Sequence, residues 1–217
     1  NLMSRILVIN PNSNESVTEG LRESLHLFNA SAEIECCTLE DGPFGIETGE
    51  DIANVIPLVV QRISKSPEFD AYVIACYSDP GLAECNELFS KPVFGMQRSA
   101  IEKAILTGGR FGVLALSEQS IERHMAYMHG LGLDEQLAGE LPLDISVHEA
   151  ANDASSFEKI INQGRRLIDE LGADVLILGC AGMASYREPS EKELQVPVIE
   201  PVQAAVSIAI EALKSVS

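Results

Sequence analysis

The chain has 217 residues, 46% hydrophobic and 22% charged, a mixture ordinary for a folded protein and long enough for two domains of about 100 residues. Its formal net charge of −18 argues against non-specific binding to nucleic acid or to an anionic membrane, since both need basic surface. No apolar run approaches the roughly 18 residues that cross a bilayer, and no charged stretch followed by an apolar block resembles a signal peptide, so the expected setting is cytoplasmic.

In chain order, "RILVIN" (5–10) reads as a strand and 14–28 as a helix. A second strand falls near 33–39, followed by a loop holding Gly42, Pro43 and Gly45 and a helix near 51–64. Ala71 to Ala75 reads as a short buried strand that ends beside Cys76. Asp79 then suits an N-cap and Pro80 the first position of a helix over 80–89. "PVFGM" forms a short strand, and a helix over 98–107 is broken by Gly108 and Gly109. Strands alternating with helices predict an α/β fold with parallel sheets and helices on both faces.

After the glycines, "RFGVLAL" starts the series again. Arg5 has a counterpart in Arg110, Asp70 in Asp174, Cys76 in Cys180 and Pro92 in Pro197, all at an offset of 104 or 105 residues. The spacing predicts two similar Rossmann-like halves related by a pseudo-two-fold axis. Residues 1–97 with 202–217 form the first, which carries Cys76, and 98–201 form the second, which carries Cys180. Ligands of open α/β sheets bind outside the carboxyl ends of the strands. Two such edges brought together would face both thiols into one cleft.

Five cysteines are an odd count without C-x-x-C spacing, and the four histidines are scattered, so no zinc pattern is present. A reducing cytosol argues against a disulfide framework. Cys36 and Cys37 lie in an alternating strand, one inward and one outward, and Cys85 lies within a helix; all three read as packing residues. Cys76 and Cys180 differ, because each stands where a strand ends. Gly179 and Gly182 flank Cys180 with residues that let backbone approach a ligand. Helix N-termini after each cysteine would stabilise anions and draw a thiol from about 8.5 toward neutrality. A thiolate and a thiol on opposite sides of one carbon can invert a stereocentre: one removes a proton, backbone amides hold the charge on the adjacent carbonyl oxygen, and the other returns a proton. That chemistry needs no cofactor and no metal. The plain alternative is that both are buried strand ends in a protein of another function.

"RILVINPNSNESVTEGL", "ACYSDPGL", "GRFGVLAL" and "LILGCAGMA" resemble the aspartate/glutamate/hydantoin racemase superfamily, most of all its hydantoin and allantoin racemase branch. The resemblance spans nearly the whole chain and implies a cofactor-independent racemase with Cys76 and Cys180 as acid and base. It also implies a pocket lined by Asn10 and the turn after it, by Tyr77, Ser78, Ala181 and Gly182, and by Phe44 with the rest of "GPFGIET". Ser117, the mirror position of Asn12, would meet the substrate from the second half. Family members are commonly homo-oligomers. Departures such as Gly45, Leu116 and the "MQRS" stretch bear on the substrate more than on the chemistry.

Arg98 could pair with a substrate carboxylate at the mouth of the pocket, although a surface pair suits it better. Glu200 suits either a cap or a group that orients the nearby thiol. His26, His124, His129 and His148 read as surface or packing residues. Three functions stay open: a racemase of a 5-substituted hydantoin or allantoin, a racemase or isomerase of an amino acid or an isomerase or decarboxylase of a small dicarboxylate, and a small-molecule binder without turnover.

Overall fold

The computed structural model describes residues 2–216. The first half runs β1 (Arg5–Asn10), α1 (Glu15–Ser24), β2 (Glu33–Thr38), α2 (Gly49–Ser64), β3 (Ala71–Ile74), α3 (Leu82–Leu88) and β4 (Val93–Gly95). Then α4 (Met96–Leu106) leads to β5 (Phe111–Ala115), α5 (Glu118–Gly130), β6 (Leu137–Pro142), α6 (Val147–Asn152), α7 (Ser155–Asp169), β7 (Val175–Leu178), α8 (Arg187–Leu194), β8 (Val198–Ile199) and α9 (Pro201–Lys214). The strands form two four-stranded sheets, β2-β1-β3-β4 and β6-β5-β7-β8, and every pairing is parallel. The α/β architecture with two alike sheets is the one that the repeat predicts.

The landmarks of the repeat make the same bonds twice. The amide of Arg5 donates to Asp70 Oδ2 at 2.8 Å, and that of Arg110 donates to Asp174 Oδ2 at 2.9 Å. Ala75 N donates to Ile9 O and Gly179 N to Leu114 O, both at 2.8 Å, so each third strand leaves its sheet in the same way. A Cβ on Gly179 would stand 2.6 Å from the Leu114 carbonyl oxygen. The neighbouring strand therefore requires a glycine at this position beside Cys180.

Alternation along the central strands separates two cores, because successive side chains point to opposite faces. Ile6, Val8, Ala71 and Val73 join a large core that continues into the second sheet through Phe111, Val113 and Leu176. Leu7, Ile9, Tyr72 and Ile74 join Val59, Ile63 and Cys85 on the far face. Cys36 and Cys37 divide between the two faces as the alternation predicts, but helices cover both, so neither thiol is freely exposed. The terminal α9 packs on α4 and β3, while α4 also touches β7 and β8.

Local signals move three boundaries. Thr48 accepts from Asp51 N while the Asp51 carboxylate accepts from Thr48 N, a reciprocal cap that starts α2 at Gly49 rather than 51. The helix expected to 28 stops at Ser24, and His26–Phe28 tighten into a 3-10 turn whose end is closed by the amides of Ser31 and Ala32 on Phe28 O. The helix expected from Pro80 begins at Leu82, because Asp79 and Gly81 take positive φ values of 48° and 84°. Asp79 is consequently not its N-cap. Its carboxylate reaches instead to α4, accepting from the amides of Gln97 and Arg98 at 2.9 Å each.

Candidate active site

One cavity of about 240 Å³ opens between the carboxyl ends of the two sheets, room for a small molecule but not for a polymer. Its floor is the two strand exits, Ala75 to Ser78 after β3 and Gly179 to Gly182 after β7. Asn12, Ile46, Glu47 and Thr48 close one side, and Leu116, Ser117, Gln119, Ser120, Arg123 and His124 the other. Ile145 and Val147, from the start of α6, complete the wall. Cys76 and Cys180 therefore share one cavity. They are close enough that charge on Cys76 opposes ionisation of Cys180.

The surroundings of the two thiols differ. Cys76 Sγ lies 3.3 Å from Ser78 Oγ, while Cys180 Sγ accepts from the Gly182 amide at 3.3 Å. Burial pushes Cys76 up to about 11, partly offset by the Ser78 hydrogen bonds and by the Arg123 charge. Burial pushes Cys180 up to about 12, with the Gly182 amide working in the other direction and the charges of Cys76, Glu47 and Glu200 adding to the rise. The expectation of thiols drawn toward neutrality by helix N-termini is thus overturned. Cys180 is followed by a 3-10 turn, Ala181–Tyr186, and Cys76 by a turn that separates it from α3. Desolvation of the thiolate outweighs the few amides that face it.

Of the residues expected to bind substrate, Tyr77, Ser78, Ser117, Ala181 and Gly182 line the cavity with the two cysteines. Asn10 and Phe44 are not brought to it. Asn10 is buried in a network of its own, its Nδ2 donating to Asn12 Oδ1 at 2.8 Å and to Thr18 Oγ1 at 3.0 Å. Asn12 takes the place at the wall, and because its Oδ1 is held by Asn10 and by the Asn14 amide, Nδ2 is its remaining polar atom. Phe44 is 57% exposed and rests on the His148 ring at 5.1 Å. His148 Nδ1 in turn accepts from Asn14 and Asn152, each at 3.1 Å, tying the start of α1 to α6.

Arg98 and Glu200 also resolve. Arg98 pairs on the surface with Glu102 at 3.0 Å, one helical turn away, and does not line the cavity. Glu200 caps α9, accepting from Gln203 N at 2.6 Å, and its Oε1 is buried with no hydrogen-bond partner among the described residues. Burial raises its carboxyl to about 7, as it does that of Asp79.

Sequence reasoning misses Arg123 and His124. His124 is no surface residue: it is buried at the cavity wall, its Nδ1 lies 2.7 Å from Glu140 Oε1, and the Tyr77 ring meets it edge-on at 4.9 Å. The available signal was helical spacing. Ser117, Ser120 and His124 repeat at three and four residues, as do Ser120 and Arg123, so a pocket residue at Ser117 carries this face of α5 with it. Among the described residues, no three or more His, Cys, Asp or Glu side chains converge to hold a metal ion.

A family model described as Asp/Glu/hydantoin racemase matches residues 6–209. The chain belongs to this family. Racemases are isomerases, and the family's curated members include a hydantoin racemase of Pseudomonas sp. (strain NS671), 32% identical over 209 residues, covering 94% of this chain and 84% of that protein. A hydantoin racemase of Paenarthrobacter aurescens is likewise 32% identical, over 216 residues, covering 94% and 89%. Among solved structures, an allantoin racemase from Klebsiella pneumoniae superposes with a TM-score of 0.92 at 29% identity, covering 98% of this chain and 88% of that one. An arylmalonate decarboxylase variant shares the racemase fold at a TM-score of 0.72 and 17% identity, covering 97% and 92%.

Proposed function

We propose that this racemase inverts the carbon next to a carbonyl in a 5-substituted hydantoin or allantoin, with Cys76 and Cys180 as its two acid/base groups and no cofactor. The observation that carries the reading is that both strand-end cysteines line one cavity that also admits a small molecule. The names of the relatives, hydantoin and allantoin racemases, support the substrate class. Cysteines at both positions suit two-sided proton transfer better than decarboxylation, which needs proton delivery from one side only.

Cys76 is the thiol nearer to ionisation, since Ser78 and Arg123 favour its charged form. As thiolate it takes the proton from the stereocentre, forming an S–H bond as the C–H electron pair moves toward the adjacent carbonyl. The oxyanion is held by donors of the walls, Asn12 Nδ2, Ser78 and the turn amides after each cysteine. The Cys180 thiol then gives its proton to the opposite side of the carbon and becomes the thiolate. Turnover of the other enantiomer runs the same steps in reverse and restores the starting state.

Racemisation of an enantiopure substrate in D2O tests this. The expected result is loss of optical rotation with one deuterium entering the stereocentre of the product. Rotation lost without deuterium, CO2 release, or binding without either change would overturn it. The same kinship implies a cytoplasmic homo-oligomer; light scattering of the purified chain checks the subunit count.

A further inference from the structure

A line of hydrogen bonds leads from the surface of the first half to the cavity wall. At its outer end stands the exposed Glu15, where Thr38 Oγ1 donates to Oε2 and Arg22 Nη1 donates to Oε1 at 2.9 Å. Thr38 first and Arg22 second hold this carboxyl below its usual range, so Glu15 is an ionised acceptor. The one hydroxyl proton of Thr38 is committed there. At 2.6 Å from it, Thr18 Oγ1 must then be the donor and Thr38 Oγ1 the acceptor. Thr18 is fully buried and turns only lone pairs inward, which Asn10 Nδ2 meets at 3.0 Å. Asn10 Nδ2 also donates to Asn12 Oδ1 at 2.8 Å, and the Asn14 amide donates to the same oxygen at 2.9 Å. With Oδ1 doubly held, the Asn12 side chain faces the cavity with Nδ2.

The fold does not need this line. In the second half β5 and β6 match β1 and β2, and where Asn10 stands opposite Thr38 they set Ala115 opposite Pro142. Neither of those side chains can hydrogen-bond, yet the sheet keeps the same strand order and the same parallel pairing. The turn that follows is closed by Ser117 and Ser120, each accepting from the other's amide. Burying hydroxyl and amide groups costs stability unless every one is paired, and the apolar choice of the second half avoids that cost. A polar line kept in one half only, and ending on a cavity side chain, therefore points to the cavity. Its inner links are amides, which do not release protons near neutral pH, so the line orients and does not conduct.

We propose that Glu15, Thr38, Thr18 and Asn10 are positioning residues for racemisation, fixing the Asn12 amide with Nδ2 toward the oxygen that gains charge. The inference rests on the racemase reading, in which Asn12 Nδ2 is an oxyanion donor, and adds residues that touch no substrate. It also gives Asn10, which does not reach the cavity, a part in the reaction. A donor held in place stabilises the oxyanion without reorganising at the moment of reaction, and a displacement of about 1 Å transmitted from a distant change can cost about 10²-fold in rate.

The test measures kcat and KM by polarimetry with enantiopure 5-benzylhydantoin and allantoin, using whichever turns over faster. Thr18→Val should lower kcat by about 10- to 100-fold with KM held within about two-fold. Thr38→Val, one link further out, should cost less, and Glu15→Gln least, since its carbonyl oxygen still accepts from Thr38. Thr18→Ser keeps the hydroxyl and should restore most of the rate. In an Asn12→Ala background Thr18→Val should cost no more than about two-fold further, because the group it acts through is gone. Thr38 is partly exposed on the edge strand β2, so its valine variant keeps the test open if the Thr18 variant does not fold. Native kcat in the valine variants, or a Thr18→Val loss undiminished in the Asn12→Ala background, would overturn the inference. A second arm needs no substrate: 15N spectra follow the Asn12 side-chain amide, identified by its absence in Asn12→Ala. Its signals should move in Thr38→Val, and unmoved signals would overturn the inference. If the native chain racemises neither compound, the hydantoin and allantoin reading fails and the spectra decide this inference by themselves.

Discussion

The two halves share a scaffold and differ in the side chains at its edge. Their strand exits, the Arg–Asp bonds at the start of each sheet and the order of strands are duplicated. Their walls are not. In the first half Asn10, Asn12, Asn14 and Thr18 bond mainly to one another, a network that holds the turn after β1 in place. In the second half the matching helix, α5, turns Ser120, Arg123 and His124 toward the cavity. Even the helix after the fourth strand is capped differently: Glu200 caps α9 from its own N-cap position, whereas Gly95 leaves room for Asp79, whose Cγ lies 2.2 Å from where a Gly95 Cβ would stand. Duplication preserves bonds that build the sheets and frees side chains at their edge to specialise.

The comparison breaks first at the thiols. Cys76→Ser and Cys180→Ser should each reduce racemisation by about 10²–10⁴-fold, the range of a general acid or base, measured by polarimetry. If one variant keeps full activity, the halves are not equal partners in proton transfer. Gly95→Ala is the next largest: its methyl collides with the Asp79 carboxylate, and urea titration should show a loss of about 2–4 kcal/mol. No such penalty exists for the equivalent side of the second half, where the cap is intrinsic.

The caps also set a pH dependence. Asp79 and Glu200 keep their protons to about 7 in the folded chain, whereas in the unfolded chain they release them near 4. Between these values the folded state binds more protons, so stability falls as pH rises from about 4 to 7 and stays lower above. Glu200→Gln keeps an acceptor for Gln203 and cannot ionise. It should remove about 2 kcal/mol of that decline, read from unfolding at pH 5 and pH 8. For activity the sign is opposite: with burial holding Cys76 at about 11, log kcat/KM should climb with pH across the neutral and mildly alkaline range, and a plateau below pH 7 would contradict a buried thiol as base. The smallest effect belongs to Arg98→Ala, which removes an exposed pair with Glu102 and should change stability by under about 0.5 kcal/mol.

Much of the fold is legible in the sequence because its evidence is local. "RILVIN" and "RFGVLAL" are aliphatic runs bounded by turn residues, and Arg5, Asp70, Arg110 and Asp174 keep their offset because they make the same bonds. The paired cysteines follow from the same offset. What escapes is whatever depends on partners distant in sequence. Asp79 reads as the cap of the nearest helix, but its partners are 18 and 19 residues on. Arg123 and His124 look like any polar pair on a helix until the cavity shows which face is inward. The direction of the thiol shifts is hidden too, since a sequence names the amides near a sulfur but not how much water they exclude.

One carboxylate has a mechanical consequence. Asp79 leaves the loop that begins at Cys76 and fastens onto the first turn of α4, and α4 lies against β7, the strand that delivers Cys180. The loop of one sulfur is thereby braced against the helix that backs the strand of the other, and loosening that brace would blur the reach of both thiols while leaving each sheet whole.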